Sequence, residues 1–226
     1  MKIFLTAINA KYIHSNLAVY SLKAYTGKYE KYVAIGEYTI NNRVDDILEQ
    51  IYKEKPDVLC FSCYIWNMDY VEELIREYKK LCPDVPVWVG GPEVSYEVDT
   101  FLKEHPQVTG VMIGEGERTF REFCEYYVDR KRELSSIRGI AYRDAQTGET
   151  VYTLPQEPLA MGTIPFCYDK VENFENRIIY YESSRGCPFR CSYCLSSIEK
   201  KLRFRDIELV KKDLAFFIEK REPQVK

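Results

Sequence analysis

An open α/β fold with a doubly wound parallel sheet is predicted by three observations. Short β-rich runs alternate with helical patterns through residues 1–135. The third of those runs, "DVLCFSCYIW" (57–66), is almost continuously apolar, as suits a strand buried on both faces. Glycine and proline punctuate the alternation, with Gly27 and Pro83 placed as helix stops.

Taken in order, "KIFLTAI" (2–8) reads as a strand. "SNLAVYSLKAY" (15–25) reads as a helix capped by Ser15 or Asn16. "YVAIGEYTI" (32–40) is a second strand, and residues 43–55 form a helix with apolar positions at 44, 47, 48 and 51 on one face. The strand at 57–66 precedes a helix at 67–82. Strand 85–91, a short helix near 96–105, a strand within 108–117 and a helix at 118–134 complete five βα units. Right-handed crossovers between them give five parallel strands with helices on both faces. Residues 137–155 read as a hairpin turning at Thr147-Gly148, followed by a proline-containing linker over 156–170. A strand at 177–184 and a helix at 206–222 then begin a second unit. A single βα unit cannot bury its own apolar face. The expected domains are 1–135, a hairpin and linker at 136–175, and the incomplete start of another domain at 176–226.

Of the 226 residues, 46% are hydrophobic and 30% charged, the profile of a soluble globular chain. The net charge of −3 provides no global basic field for nucleic acid. Residues 187–226 carry ten Lys/Arg against six Asp/Glu, read as a solvated helix face. The apolar run after Met1 is too short for a signal peptide, and no stretch approaches the ~20 apolar residues of a membrane span. A cytoplasmic location without membrane association is expected. Eight cysteines should then stay reduced, so a cluster of them points to metal or catalysis.

Such a cluster stands in "SSRGCPFRCSYCLSS" (183–197), with Cys187, Cys191 and Cys194 in C-x3-C-x2-C spacing. Thiolates are soft donors that suit iron, and three on one loop leave the fourth iron of a cubic cluster open to a substrate or cofactor. A structural zinc usually takes four protein ligands. A composite zinc site with Cys60 and Cys63 is an alternative, but residues three apart on a strand point to opposite faces. Cys60, Cys63, Cys82, Cys124 and Cys167 read as buried, inert thiols.

"RGCPFRCSYC" resembles the cluster motif of radical S-adenosylmethionine (radical SAM) enzymes in spacing, in the aromatic Tyr193 before the last cysteine, and in its place after the first strand of a partial TIM barrel. The resemblance covers residues 177–222. It implies a 4Fe-4S cluster held by Cys187, Cys191 and Cys194, with S-adenosylmethionine on the open iron and Phe189 and Tyr193 packed around cluster and cofactor. Reduction of the cluster, by an electron donor such as flavodoxin or ferredoxin, would yield a 5′-deoxyadenosyl radical.

Ligands of open α/β sheets bind beyond the carboxyl ends of the strands, near the switch in strand order. The loops placed there contain Asn9, Ala10, Lys11, Tyr12, His14 and Ser15; Ser62, Tyr64, Trp66 and Asn67; Gly90, Gly91, Pro92 and Glu93; and Gly114, Glu115, Gly116, Glu117 and Thr119. Their glycines permit close backbone approach to a large ligand. The helix starting near Glu117 points its amino end at the same crevice. No G-x-G-x-x-G follows the first strand, which argues against a dinucleotide. "NAKYIHSNLA", "GGPEVS" and "GEGERTF", ahead of the cysteine motif, together resemble the flavodoxin-like cobalamin-binding domain of cobalamin-dependent radical SAM proteins. The D-x-H-x-x-G of many cobalamin domains is missing, and His14 lacks its Asp and Gly, so the resemblance implies cobalamin without a histidine ligand. Tyr64 and Trp66 are candidates to stack on the corrin or are strand-end core aromatics. Glu115 and Glu117 read as carboxylates near a helix amino end.

The function implied is the amino-terminal part of a cobalamin-dependent radical SAM enzyme, with methyl transfer to an unactivated carbon its commonest role and the substrate unidentified. A non-catalytic cobalamin- or nucleotide-binding module and a zinc-stapled α/β protein are the alternatives.

Overall fold

The computed structural model describes residues 1–169, 174, 176–189, 191–198, 201–220 and 224–225. Five strands, β1 (Ile3–Asn9), β2 (Val33–Thr39), β3 (Val58–Ser62), β4 (Val87–Gly90) and β5 (Gly110–Met112), alternate with five helices, α1 (Leu17–Tyr25), α2 (Val44–Glu54), α3 (Met68–Leu81), α4 (Val98–Glu104) and α5 (Gly116–Asp129). Asn16 is the cap that starts α1, its side chain accepting from the Val19 amide at 3.4 Å. Gly27, at φ 59°, turns the chain into a 3-10 segment over Gly27–Tyr32.

The five strands are parallel, in the order β2-β1-β3-β4-β5. Their alternating side chains feed two cores. Ile3, Leu5, Ala7, Cys60 and Trp88 pack on one face with Val19, Phe120 and Phe123 of α1 and α5. Phe4, Ile8, Leu59, Phe61 and Val89 pack on the other with Ile47, Leu74 and Leu102 of α2, α3 and α4. This is the double winding predicted from periodicity. Cys60 and Cys63 fall in opposite cores, as the strand geometry requires.

The sheet has seven strands, which corrects the expected five. β6 (Ile140–Arg143) pairs antiparallel with β5, and β7 (Thr150–Tyr152) antiparallel with β6. The hairpin read as a connector thus covers the β5 edge, whose amides and carbonyls would otherwise lack partners. Its turn is closed by the Asp144 carboxylate, which accepts from the Gln146 and Thr147 amides at 2.9 and 2.8 Å.

Beyond the linker, the strand expected at 177–184 is two short ones, β8 (Ile178–Ile179) and β9 (Ser184–Arg185). β9 pairs antiparallel with β10 (Arg203–Phe204). After α6 (Ile207–Lys220), β11 (Gln224–Val225) returns parallel to β8. Positions 221–222 of the expected helix and Lys170 of the linker lie outside the described residues. The small unit does not bury its apolar face alone. Phe166, Tyr168, Phe174 and Phe217 form a chain of edge-to-face rings that reaches Tyr20 on α1. Tyr20, Tyr168, Ile179 and Phe217 belong to the same buried core as the sheet. Among the described residues no helix is long and apolar enough to cross a membrane.

Candidate functional site

The strand order reverses between β1 and β3, so the loops after these two strands flank the crevice where such sheets bind ligands. Asn67 and Trp66 tie the loops together. Asn67 is fully buried, donates to the Ile8 carbonyl at 3.0 Å and to the Ser62 carbonyl at 2.9 Å, and accepts from the Tyr64 amide at 2.8 Å. The Trp66 indole donates to the same Ile8 carbonyl at 3.2 Å. This fixes Tyr64 and Trp66 as a parallel stack, 4.4 Å between centroids and 9° between planes. Trp66, Ile65 and Tyr12 stand exposed at this end of the sheet. An exposed apolar shelf at a strand switch fits a large planar ligand such as a corrin ring.

The remaining loop residues divide by position. Lys11, Pro92, Glu93 and Gly114 are exposed, and Ala10, Ser62, Gly90 and Gly91 are half-buried. A Cβ on Gly114 would meet nothing within 4 Å, whereas one on Gly91 would strike the Cys63 carbonyl at 2.3 Å. Gly114 therefore borders open space, while Gly91 is required by contact between the β3 and β4 loops. Gly116 starts α5 beneath Leu22, and Thr119 is buried, donating to the Arg138 carbonyl at 3.0 Å.

His14 and Ser15 face the second unit. The Ser15 hydroxyl donates to the Ile178 carbonyl at 2.8 Å, and the Ile178 amide donates to the Ile13 carbonyl at 2.6 Å. The His14 Nδ1 lies 2.5 Å from the Tyr180 hydroxyl, with the two rings stacked. Behind them Glu37 of β2 is a hub. It accepts from Asn9 Nδ2 at 2.7 Å, the Asn16 amide at 3.0 Å, the Tyr20 hydroxyl at 2.5 Å and Arg177 Nη1 at 2.8 Å. Burial, and then the Glu37 charge, push the Tyr20 hydroxyl far above the usual phenol range.

Glu115 and Glu117 also face the second unit. Arg185 Nη2 reaches Glu117 Oε1 at 2.5 Å, and Nη1 reaches Glu117 Oε2 at 3.1 Å and Glu115 Oε2 at 3.3 Å. Its Nε bonds Glu182 at 2.8 Å. Arg203 grips Glu115 through both terminal nitrogens. Ser21 adds a 3.0 Å bond to Glu117. Burial alone would raise the Glu115 carboxyl, but bonds from Arg203 and the Leu159 amide hold it below the carboxylate range. Burial works against the Arg185 charge, yet Glu117 and Glu182 push its pKa above the usual value.

The three motif cysteines are half-buried on the loop that leaves β9, with the Cys194 amide donating to the Cys191 carbonyl at 3.2 Å. Phe189 and Tyr193 beside them are exposed. Among the described residues, no group of three or more His, Cys, Asp or Glu side chains is placed to hold a metal. The donor set itself, three thiols on one loop, fits a cluster with one open iron. Cys60, Cys63, Cys124 and Cys167 are buried as expected, whereas Cys82 at the end of α3 is only half-buried. Burial pushes the Cys63 and Cys167 thiols up to about 12. A 360 Å³ groove between the linker and α6 is lined by Phe166, Arg205, Lys212 and Phe216 and by none of the crevice residues. Reading the sequence missed Glu37, Arg177, Tyr180 and Arg203. A glutamate inside the apolar run "YVAIGEYTI" is a signal that a buried cation must face it.

Comparison with known proteins bears on the same features. The B12 binding domain profile matches residues 5–124. The cobalamin-dependent radical SAM methyltransferase TokK of Streptomyces tokunonensis is 30% identical over 152 residues, covering 62% of this chain and 22% of that protein. The anaerobic magnesium-protoporphyrin IX monomethyl ester cyclase of Rubrivivax gelatinosus is 26% identical over 213 residues, covering 85% of this chain and 38% of the cyclase. Among solved structures, the cobalamin-dependent S-adenosylmethionine radical enzyme OxsB, with aqua-cobalamin and S-adenosylmethionine bound, superimposes with a TM-score of 0.76 at 20% identity. That match covers 94% of this chain and 31% of OxsB and shows a shared fold. The chain thus spans between about a fifth and two-fifths of the length of these relatives.

Proposed function

Because the chain belongs to the B12-binding domain family, within proteins related to cobalamin-dependent radical SAM methyltransferases, we propose that it is the cofactor-holding part of such an enzyme. Cobalamin would rest on the shelf of Tyr12, Tyr64, Ile65 and Trp66, with its edge toward Gly114. Cys187, Cys191 and Cys194 would hold a 4Fe-4S cluster with S-adenosylmethionine on its open iron. When bound, these groups supply a transferable methyl and a hydrogen-abstracting radical. The chain's own residues hold and orient them. Asn67 fixes the stacked aromatics, Glu37 and Arg177 join the crevice to β8, and Glu115 and Glu117 join it to β9.

The observation that carries the reading is that the cysteine loop leaves β9 directly beside the crevice loop after β5, through the Arg185 contacts with Glu115 and Glu117. Reduction would come from a donor such as flavodoxin or ferredoxin in the cytoplasm, and the substrate would bind to parts of the protein beyond this chain. The 26% identity to a cyclase favours a second reading, in which the same cofactors drive ring closure rather than methyl transfer. An anaerobic absorption spectrum after incubation with hydroxocobalamin and desalting tests the cobalamin site. Retained corrin bands are expected, and loss of the corrin on desalting overturns the assignment. For the cluster, Cys187→Ala, Cys191→Ala and Cys194→Ala should each abolish bound iron after reconstitution. Unchanged iron in any of them removes that ligand from the set.

A further inference from the structure

β9 and β10 form the neck of the cysteine loop, and each is two residues long. In their antiparallel register Arg185 lies directly opposite Arg203, and Ser184 opposite Phe204. A two-residue ladder has little stability of its own. Like charges directly opposite across it oppose pairing. Both arginines are nevertheless mostly buried, with side chains 15% and 12% exposed. Their charges are met by the turn that leads from β5 into α5. Glu115 takes Arg203 on both terminal nitrogens and shares Arg185 with Glu117. That turn begins at Gly114, where an added Cβ would meet open space, and Cys187 follows Arg185 by two positions.

We propose that Glu115 and Glu117 are positioning residues for the iron–sulfur cluster: by gripping Arg185 and Arg203 they hold the neck of the cysteine loop closed against the crevice. The inference deepens the proposed function and rests on its cluster assignment. It gives the two carboxylates a task distinct from contact with cobalamin. It also makes the crevice turn the part of the first domain that senses whether the cysteine loop is formed. The second ion pair, Glu37 with Arg177, anchors β8 independently, so loss of the neck contacts leaves the two units docked.

The test compares the wild-type chain with Glu117→Gln, Glu115→Gln, the double variant and the conservative Glu117→Asp. Amide hydrogen exchange of the apoprotein reads the neck without any cofactor. Peptides covering 184–188 and 202–205 should exchange about tenfold faster in the double variant, while those from β1, β3 and β4 should not change. After anaerobic reconstitution with ferrous iron and sulfide, retention of iron against a chelator should fall severalfold in the Gln variants and recover in Glu117→Asp. The reduced cluster's paramagnetic spectrum should broaden in the Gln variants, a signature that loss of global stability does not produce. Neck exchange and iron retention both at wild-type level in the double variant overturn the proposal. Failure of the wild type itself to take up iron instead overturns the cluster assignment on which the proposal stands, so the two failures are separable.

Discussion

Replacing Gly91 with alanine should unfold the apoprotein at markedly lower temperature, although the residue lies in a loop that reads as a ligand cradle. A Cβ there would stand 2.3 Å from the Cys63 carbonyl oxygen, where real Cβ atoms essentially never come closer than 3.0 Å. The backbone must therefore retreat by 0.7 Å, the gap between those two distances. Overpacking of that kind costs about 1–3 kcal/mol. Gly91 also has φ 120°, a conformation that costs a non-glycine residue a further ~1–3 kcal/mol. Retreat would strain the 2.7 Å bond from the Cys63 amide to the Gly90 carbonyl, with ~1 kcal/mol at stake. Together these come to about 5 kcal/mol at the middle of their ranges, or roughly 15 °C in Tm for a chain of this size. Gly114→Ala is the matched control. Its φ of 79° is strained for alanine, but its Cβ meets nothing, so the loss should be about 1–2 kcal/mol. Thermal unfolding of the apoproteins followed by circular dichroism, and hydroxocobalamin retention by both variants, separate the roles. Gly91→Ala melting with the wild type, or no lower than Gly114→Ala, would refute the assignment of Gly91 to chain packing.

Glu37→Leu should cost about 3 kcal/mol, read as a lower urea midpoint, because it leaves the mostly buried Arg177 without its carboxylate. Glu37→Gln, which keeps an acceptor for Asn9 and Tyr20, should cost less than Glu37→Leu but more than nothing, and a Gln variant as stable as the wild type would show that the charge of Glu37 is immaterial. Native alkylation with iodoacetamide near pH 8, read by mass spectrometry, should label half-buried Cys187, Cys191 and Cys194 well before Cys60, Cys63, Cys124 and Cys167. The protonated thiol is the form that the fold favours at Cys63 and Cys167. Their contribution to stability is therefore complete below the unfolded value of 9.0 and lost as pH rises toward about 12. Labelling of Cys63 as fast as Cys187 at pH 8 would contradict that burial.

The sheet was legible because its strands carry their instructions locally. Alternating Ile3, Phe4 and Leu5 feed two cores, and the apolar run at 58–62 forces a central strand. The C-x3-C-x2-C spacing could be read along the chain because all three cysteines belong to one loop, where the structure leaves each half-buried. What escaped was set by contacts distant in sequence. Nothing near Thr150–Tyr152 states that the hairpin extends the sheet, since that follows from the exposed edge of β5. Glu115 and Glu117 look like residues at a helix start, and their arginines come 68 to 88 positions later. Gly91 looked like a cradle for ligand because sequence cannot tell an approach by cofactor from an approach by Cys63.

Those distant contacts decide how the cofactor sites would stand relative to each other. Glu37 sits on β2 and Glu115 follows β5, the two ends of the parallel sheet. Four strand spacings separate these strands, about 19 Å at ~4.8 Å each. Each end holds an arginine of the second unit, Arg177 before β8 and Arg185 in β9. An aromatic seam from Tyr20, whose hydroxyl bonds Glu37, through Tyr168 to Phe217 also joins the two units. A seam of edge-to-face rings alone resists separation but permits rocking, because ring contacts tolerate a range of angles. Ion pairs spaced across the sheet oppose that rocking, since rotation about the seam must stretch one of them. The separation between the aromatic shelf and the cysteine loop is thus set by charged residues at the ends of strands.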